Sequence, residues 1–492
     1  MKDLKGIVLR GGLVTGGGQI AKMLLRVVSL AILARLLEPR DFGLVGMVTA
    51  ITGVLDVIKD AGLSTVTVQR PTITDEQISS LFWLNMLVGT VLALMSIGLA
   101  PSLASFYGEP RLLWLTVALS PGFVLNAAAV QHSALLQRSM RFVALTTTEL
   151  VSLAVGVVVG VGMALTGFGY WALVGLTIAQ TAASAVLVWA ATRWIPNVPR
   201  RNAGIGDMLR FGGTVSLNSL VVYIAYNFEK VLLGRFWGAD ALGIYGRAYQ
   251  LISLPTQLLN SSVGSVAFPA LSRLHDDSER FRSYFLKGYS LVLAFTLPLT
   301  IGCAVFAEDI ILVLLGPKWH GAAVIFRLLT PTILVLALIN PLAWLLFSLG
   351  LVGRSLRVAL VISPIVLVAY VVGLPHGPNG VAFAYSTAMT LWLVPHIIWC
   401  THGTMITLRD ILRVAGRFLL AAAVAAVVAL VAQTWLAQLR LPILRLAVGG
   451  TILTGTYVWT LLYALGQKNV YLDLARGLFE RPSPVESSGS AR

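Results

Sequence analysis

Apolar residues in this chain fall into long runs separated by short stretches rich in Gly, Pro, Arg and Asp. A helix rises 1.5 Å per residue, so about 20 apolar residues cross a hydrocarbon core of roughly 30 Å. Fourteen runs approach that length: 12–37, 42–68, 78–104, 111–136, 142–166, 169–194, 208–234, 241–268, 281–306, 321–349, 355–374, 379–402, 410–436 and 442–466. The longest stretches between them lie near 195–207, 269–280 and 307–320, and none is long enough to fold as a domain. The pattern predicts an all-α polytopic membrane protein of about 14 transmembrane helices.

The exceptions to the apolar pattern are the informative positions. In the first run Thr15, Gln19, Lys22, Arg26 and Ser29 recur at intervals of 4, 3, 4 and 3, which places them on one helical face. Lys22 lies roughly 15 Å from the inner end, near the bilayer midplane, with Arg26 one turn further out. A charge is costly there, so such a stripe faces a bundle interior or a water-filled cavity, and two cations suit a path for something anionic.

The second run carries Asp56, Lys59 and Asp60 on a face continued by Thr49 and Thr52, at a depth of roughly 12–18 Å. Two readings follow. Lys22 or Arg26 pairs with Asp56 or Asp60 as a structural lock, or these groups line a cavity in which the cations hold an anionic headgroup and a carboxylate exchanges H+ or Na+. The two are compatible.

Further polar faces occur in the seventh run (Ser216, Ser219, Tyr223, Tyr226, Asn227, Lys230) and the eighth (Arg247, Gln250, Gln257, Ser261). They read as a sugar-binding wall or as interhelical hydrogen bonds. Glu229 and Lys230 read as snorkelling near the outer end. Glu149 reads as interfacial, Arg327 as lying away from the cavity, and His396 as a hydrogen-bonded core residue.

Composition sharpens this picture. Of 492 residues 57% are hydrophobic and 12% charged, about half the charged share of a soluble domain. The net charge of +15 has no aromatic-interleaved basic run behind it, so nucleic acid is not a partner. It reflects the positive-inside rule: with the N-terminus inside, 23 Lys and Arg fall in cytoplasmic stretches against eight outside. Both termini are therefore expected in the cytoplasm. The N-terminal MKDLKGIVLRGG reads as part of a retained first helix, and the tail 467–492 as disordered. Cys303 and Cys400 lie far apart in apolar runs and read as small core residues, not a disulfide or metal site. No nucleotide-binding, nucleophile or metal-ligand motif occurs, so the expectation is a non-enzyme without cofactor, driven by an ion gradient, the membrane potential or the substrate gradient.

The chain also repeats. ARLLEPRDFGLVG (34–46) matches GRFWGADALGIYG (234–246) at an offset of 200, with Arg35/Arg235, Gly43/Gly243 and Gly46/Gly246 identical. FYGEP (106–110) echoes LLGPK (314–318) more weakly. Six helices separate equivalent positions, which keeps the copies parallel about an axis along the membrane normal.

Seven stretches resemble a known family: ARLLEPRDFGLVGMV (34–48), ALLQRSMRF (134–142), GFGYWALV (167–174), GADALGIYGRAYQL (238–251), FPALSRL (268–274), LLGPKW (314–319) and NGVAFAYS (379–386). Together, and in this order, they resemble the polysaccharide transporter (Wzx-type) branch of the multidrug/oligosaccharidyl-lipid/polysaccharide flippase superfamily. The resemblance implies two six-helix lobes, here 1–200 and 201–403, related by a pseudo-two-fold axis, with an extra helix pair at 404–466. It implies alternating access that moves an undecaprenyl-diphosphate-linked oligosaccharide across the bacterial inner membrane, for lipopolysaccharide or exopolysaccharide synthesis. Membrane lipids and a polysaccharide polymerase or assembly machinery are the partners it implies.

The substrate-facing candidates are then Lys22, Arg26, Gln19, Lys59, Tyr223, Tyr226, Asn227 and Gln250, with Asp56 and Asp60 as ion-coupling or ion-pair candidates. A cation-coupled drug antiporter of the same superfamily would need a cation-favouring cavity, which two basic residues in the first helix oppose. A membrane-embedded polymerase or ligase would need a sizeable extramembrane loop, and a scaffold would leave midplane charges unexplained. The predicted orientation is checked by reporter fusions: alkaline phosphatase is active after residue 38 and inactive after residue 466, and the reverse result overturns it.

Overall fold

The computed structural model describes residues 2–58, 64, 67–68, 70, 72–198, 206–272, 274 and 277–465, with side chains described for most of them. All the regular structure among these residues is helical. In chain order the helices are α1 (Lys2–Leu36), α2 (Pro39–Ile58), α3 (Asp75–Tyr107), α4 (Arg111–Leu119), α5 (Pro121–Arg138), α6 (Phe142–Leu165), α7 (Trp171–Thr192) and α8 (Gly206–Ser272). They continue with α9 (Ser278–Val305), α10 (Ala307–Leu314), α11 (His320–Ser348), α12 (Val352–Gly373), α13 (Gly377–Thr401), α14 (Leu408–Leu436) and α15 (Pro442–Trp459). Among the described residues nine helices are long and apolar enough to cross a membrane. The stretch 307–320, expected as a loop, is instead the short helix α10 followed by a turn of 3-10 helix.

Local signals place several helix ends. Thr74 and Gln77 form a reciprocal capping box at the start of α3, and Gly108 ends that helix in the left-handed region. Thr407 and Asp410 cap α14 in the same way. The corner inside α8 falls at Gly238, whose φ of 80° and ψ of −177° suit glycine alone. It is the repeat equivalent of Glu38, where α1 turns into α2.

Packing departs from chain adjacency in one decisive way. α1 lies along α6, whereas α2 crosses to lie along α8. Two glycines permit that crossing. A Cβ on Gly43 would stand 1.7 Å from the Ala239 carbonyl oxygen, and one on Gly243 would stand 1.9 Å from that of Pro39. The contact is reciprocal, because Ala239 and Pro39 are themselves 200 residues apart. The repeated motif thus packs against its own copy, backbone on backbone.

The same end of the bundle is tied further. Arg35 donates to the Val313 carbonyl oxygen at 2.6 Å, and Trp319 Nε1 to that of Ala34 at 2.8 Å. Phe42 meets the Trp319 ring edge-on at 5.4 Å, within a core that joins residues of α1, α2, α8 and α11–α13. The α7 end is fastened separately: Trp83 Nε1 donates to the Asn197 carbonyl oxygen (2.8 Å), and the Asn197 N–H to Ser79 Oγ (3.0 Å).

The last two helices attach to the second half by a charge pair at each end. Arg282 of α9 holds the buried Asp410 with two donors, one at 3.2 Å, and Arg445 holds the buried Asp309 at 2.9 Å. Cys303 and Cys400 are buried and unbridged. The reciprocal glycine contact is tested by Gly43→Val, whose side chain has nowhere to go without parting α2 from α8. Overpacking of this kind costs about 1–3 kcal/mol. A cysteine at Thr49, just inside the contact, then reacts faster with a membrane-impermeant thiol reagent in Gly43→Val than in the Gly43 background. Equal reactivity would mean the glycine is not needed for closure.

Candidate functional site

Between α1, α2, α5, α6, α7 and α8 the side chains leave a cleft made of two adjoining cavities of about 400 and 310 Å³. They share Arg26, Leu153 and Gln180. The cavity nearer the α2–α8 contact is lined by Ser29, Thr49, Thr177, Arg247, Gln250 and Ser253 among polar residues. The other is lined by Lys22, Asn126, Glu149, Ser152, Thr181 and Ser184. Leu30, Leu33, Phe42 and Val45 wall off the closed end.

The charged stripe of α1 does face this cleft. Arg26 lines both cavities and has no acidic partner among the described residues. Lys22 lines the inner one, but its ammonium is bound to Glu149 of α6. The sequence offered Asp56 or Asp60 as its partner on the assumption that consecutive helices lie side by side. Because α2 runs off to α8, α6 is the neighbour that supplies the carboxylate. Glu149 is therefore a cleft residue, not an interfacial one. Ser29 is buried beside Arg26, while Gln19 is exposed and lines neither cavity. Asp56 is exposed on α2, close enough to Tyr223 to act on it electrostatically. Lys59 and Asp60 lie outside the described residues, as do the side chains of Thr15, Ser216, Ser219, Gln257 and Ser261.

Of the α8 candidates whose side chains are described, Arg247 and Gln250 line the cleft and Tyr223, Tyr226, Asn227 and Lys230 do not. Tyr223 donates its hydroxyl to the Thr49 carbonyl oxygen at 3.1 Å and lies against Gly53, so it fastens α8 to α2. Tyr226 faces Tyr249 and Tyr385. Asn227 bonds along its own helix, donating to the Tyr223 carbonyl oxygen (2.9 Å) and accepting from Lys230 (2.6 Å). Glu229 does not snorkel: it is fully buried, and neither carboxylate oxygen has a partner among the described residues. Arg327 pairs with Glu308 at 3.3 Å, away from the cleft. His396 accepts from Trp392 Nε1 at 3.1 Å, and His132, which is fully buried, is bonded to Thr192 Oγ1 at 2.7 Å.

Sequence reasoning placed Arg247 on a polar face with Gln250 but left it out of the substrate-facing candidates. Its guanidinium lies 4.6 Å over the Phe42 ring, donates to Gln250 Oε1, and keeps Nε without a partner among the described residues. The signal was present: Arg247 and Gln250 are three apart, nearly two turns inside a run that starts at 241. The cleft therefore sets Lys22, Arg26 and Arg247 against Glu149 among its lining residues. Three cations, amides and hydroxyls around a low-dielectric wall suit a multiply charged anion with hydroxyl groups attached. A larger groove than either cavity lies elsewhere. It measures about 930 Å³ on the outer face of α12 and α13, is apolar, and offers no such chemistry.

A family model described as "Polysaccharide biosynthesis protein" matches residues 32–324, which take in α2, α8 and most of the cleft. The chain belongs to the polysaccharide biosynthesis protein family. Its similarity to individual members is moderate. It is 28% identical to the teichuronic acid biosynthesis protein TuaB of Bacillus subtilis, over 66% of this chain and 68% of that protein. It is 27% identical to the lipopolysaccharide biosynthesis protein WzxC of Escherichia coli, over 68% of each chain. The fold is that of the lipid II flippase MurJ in its inward closed conformation, with a TM-score of 0.73 at 15% identity, covering 91% of this chain and 99% of that one.

Within this family member the cleft arginines make a direct test. Arg247→Ala is expected to weaken binding of pyrophosphate to the purified protein by about tenfold or more, the scale of one lost charge-assisted hydrogen bond. Arg247→Lys keeps the charge but not the planar fork that lies on Phe42, and recovers only part of that loss. Calorimetric titration reads both, and unchanged affinity would remove Arg247 from the site.

Proposed function

We propose that this protein is a flippase that carries an undecaprenyl-diphosphate-linked oligosaccharide from the cytoplasmic to the periplasmic leaflet of a bacterial inner membrane, for surface polysaccharide synthesis. The observation that carries the reading is the meeting of Arg26 on α1 and Arg247 on α8 in one cleft. A diphosphate between two arginines is held by paired N–H donors, and the sugar hydroxyls find Gln180, Gln250, Thr177 and Ser253 around them. Family membership and the flippase fold support the same activity.

In this reading the chain has 14 membrane helices, arranged as lobes 1–200 and 201–403 with a further pair at 404–466, and both termini are cytoplasmic. The α2–α8 contact then seals the periplasmic end. Transport requires it to part while the cytoplasmic ends close, the alternating access expected of parallel repeats. The lock is built for parting. It consists of backbone approaches and a few hydrogen bonds with no buried ion pair across it among the described residues, so separation exposes little unpaired charge. A drug antiporter is the weaker reading, because cations outnumber carboxylates in the cleft and would repel a cationic cargo.

The test is genetic and then biochemical. Deleting the gene abolishes surface polysaccharide, the native protein restores it, and a Lys22→Ala, Arg26→Ala double variant inserted at normal levels does not. Full rescue by that variant would sink the headgroup reading and leave the fold intact.

A further inference from the structure

We propose that Glu149 is the internal counter-ion of the cleft: it holds Lys22 when the carrier is empty and yields it when the diphosphate arrives. The inference rests on the flippase reading and adds to it a residue with a role in turnover. Lys22 is nearly enclosed, its side chain 13% exposed, and a cation so placed needs an anion beside it in every state of the cycle. In the empty cleft Glu149 is that anion, with its side chain 43% exposed toward the same cavity. One partner of this pair is thus fixed and shielded, and the other stands where an incoming ligand can displace it.

The geometry also provides for the displaced carboxylate. Asn126, Gln180 and Ser184 line the same cavity and offer amide and hydroxyl donors. The Asn126 Oδ1 is buried without a partner among the described residues, so this amide is not locked into a finished network. Lysine suits the exchange better than arginine would. Its ammonium is a compact charge with three rotatable donors, able to pass from a carboxylate to a phosphate oxygen without breaking a bidentate fork. Arg26, with no acidic partner among the described residues, is the first anchor for the diphosphate, and Lys22 joins as Glu149 lets go.

The chemistry is an exchange of ion pairs with no covalent step. The Lys22 ammonium leaves the Glu149 carboxylate and pairs with a phosphate oxygen of the substrate, and the reverse occurs at release. An internal competitor of this kind weakens ground-state binding. In return it speeds release on the far side, and it spares the empty carrier from resetting with an uncompensated buried cation.

The test uses the full-length protein in lipid nanodiscs with farnesyl diphosphate as probe, and proteoliposomes for turnover with a lipid-linked substrate. Glu149→Gln keeps the shape and the hydrogen-bonding ends but removes the competing charge. It is expected to bind the probe about three- to tenfold more tightly than the native protein, the scale of a partly exposed ion pair. It is also expected to turn over more slowly, so that KM and the maximal rate fall together. Glu149→Asp, which keeps the charge, stays close to native in both.

If the pair is only structural, Glu149→Gln instead lowers thermal stability, loosens probe binding and raises KM, and the counter-ion role is overturned. Unchanged binding and turnover in Glu149→Gln overturn it equally. The underlying flippase reading fails in a different way: the probe then binds Lys22→Ala, Arg26→Ala protein as well as it binds the native protein, whatever Glu149→Gln does.

Discussion

The close approach of α2 to α8 governs the rest of this molecule. Gly43 meets the Ala239 carbonyl and Gly243 meets that of Pro39 at distances no side chain could tolerate. With that contact made, α2 is drawn away from α1, and a cleft is left where the two would have packed. The Phe42 ring is brought under Arg247, and Thr49 under the Tyr223 hydroxyl. The wall of the cleft and its seal are one feature. Glycine is required because interlocking backbones need the absence of a Cβ, which no rotamer change can supply.

Electrostatics decides how the cleft is furnished. Each cation of the cleft needs compensation, and the structure gives three different solutions. Lys22 has a carboxylate, Glu149. Arg247 has an aromatic face and an amide oxygen, a weaker pairing that leaves Nε unpartnered among the described residues. Arg26 has open cavity on both sides. The gradient from compensated to uncompensated charge marks out where an anion is wanted, and it distinguishes this cleft from the apolar groove on α12 and α13. Elsewhere charge serves attachment: Arg282–Asp410 and Arg445–Asp309 fasten the last helix pair at opposite ends of the bundle.

Much of this was legible in the sequence, and the failures have a common cause. The 4, 3, 4, 3 spacing in α1 correctly put Lys22, Arg26 and Ser29 on one face, because helical periodicity is local. The offset of 200 paired 34–46 with 234–246 but gave no sign that the two stretches would touch. The partner of Lys22 was misjudged, since chain adjacency says nothing of which helix a membrane segment packs against. Tyr223 and Asn227 read from the sequence either as a sugar wall or as interhelical hydrogen bonds, and Tyr223 makes the second kind of contact. Their polar atoms are spent on the Thr49 carbonyl and on α8 itself, a choice set by which neighbour comes within hydrogen-bond distance. Glu229 looked interfacial by depth and is fully buried because the tyrosines of α8, α12 and α13 close around it.

Taken alone, the sequence determines the membrane-spanning character, the run lengths, the charge bias, the repeat, the family and the face on which the α1 cations sit. These follow from composition and from periodicities that hold within a single helix. The tertiary structure alone decides which charge meets which: Lys22 with Glu149, Arg247 with Phe42, and Arg26 with open space. The reason is that pairing across helices depends on packing, and here packing is dictated by two glycines that let non-consecutive helices touch.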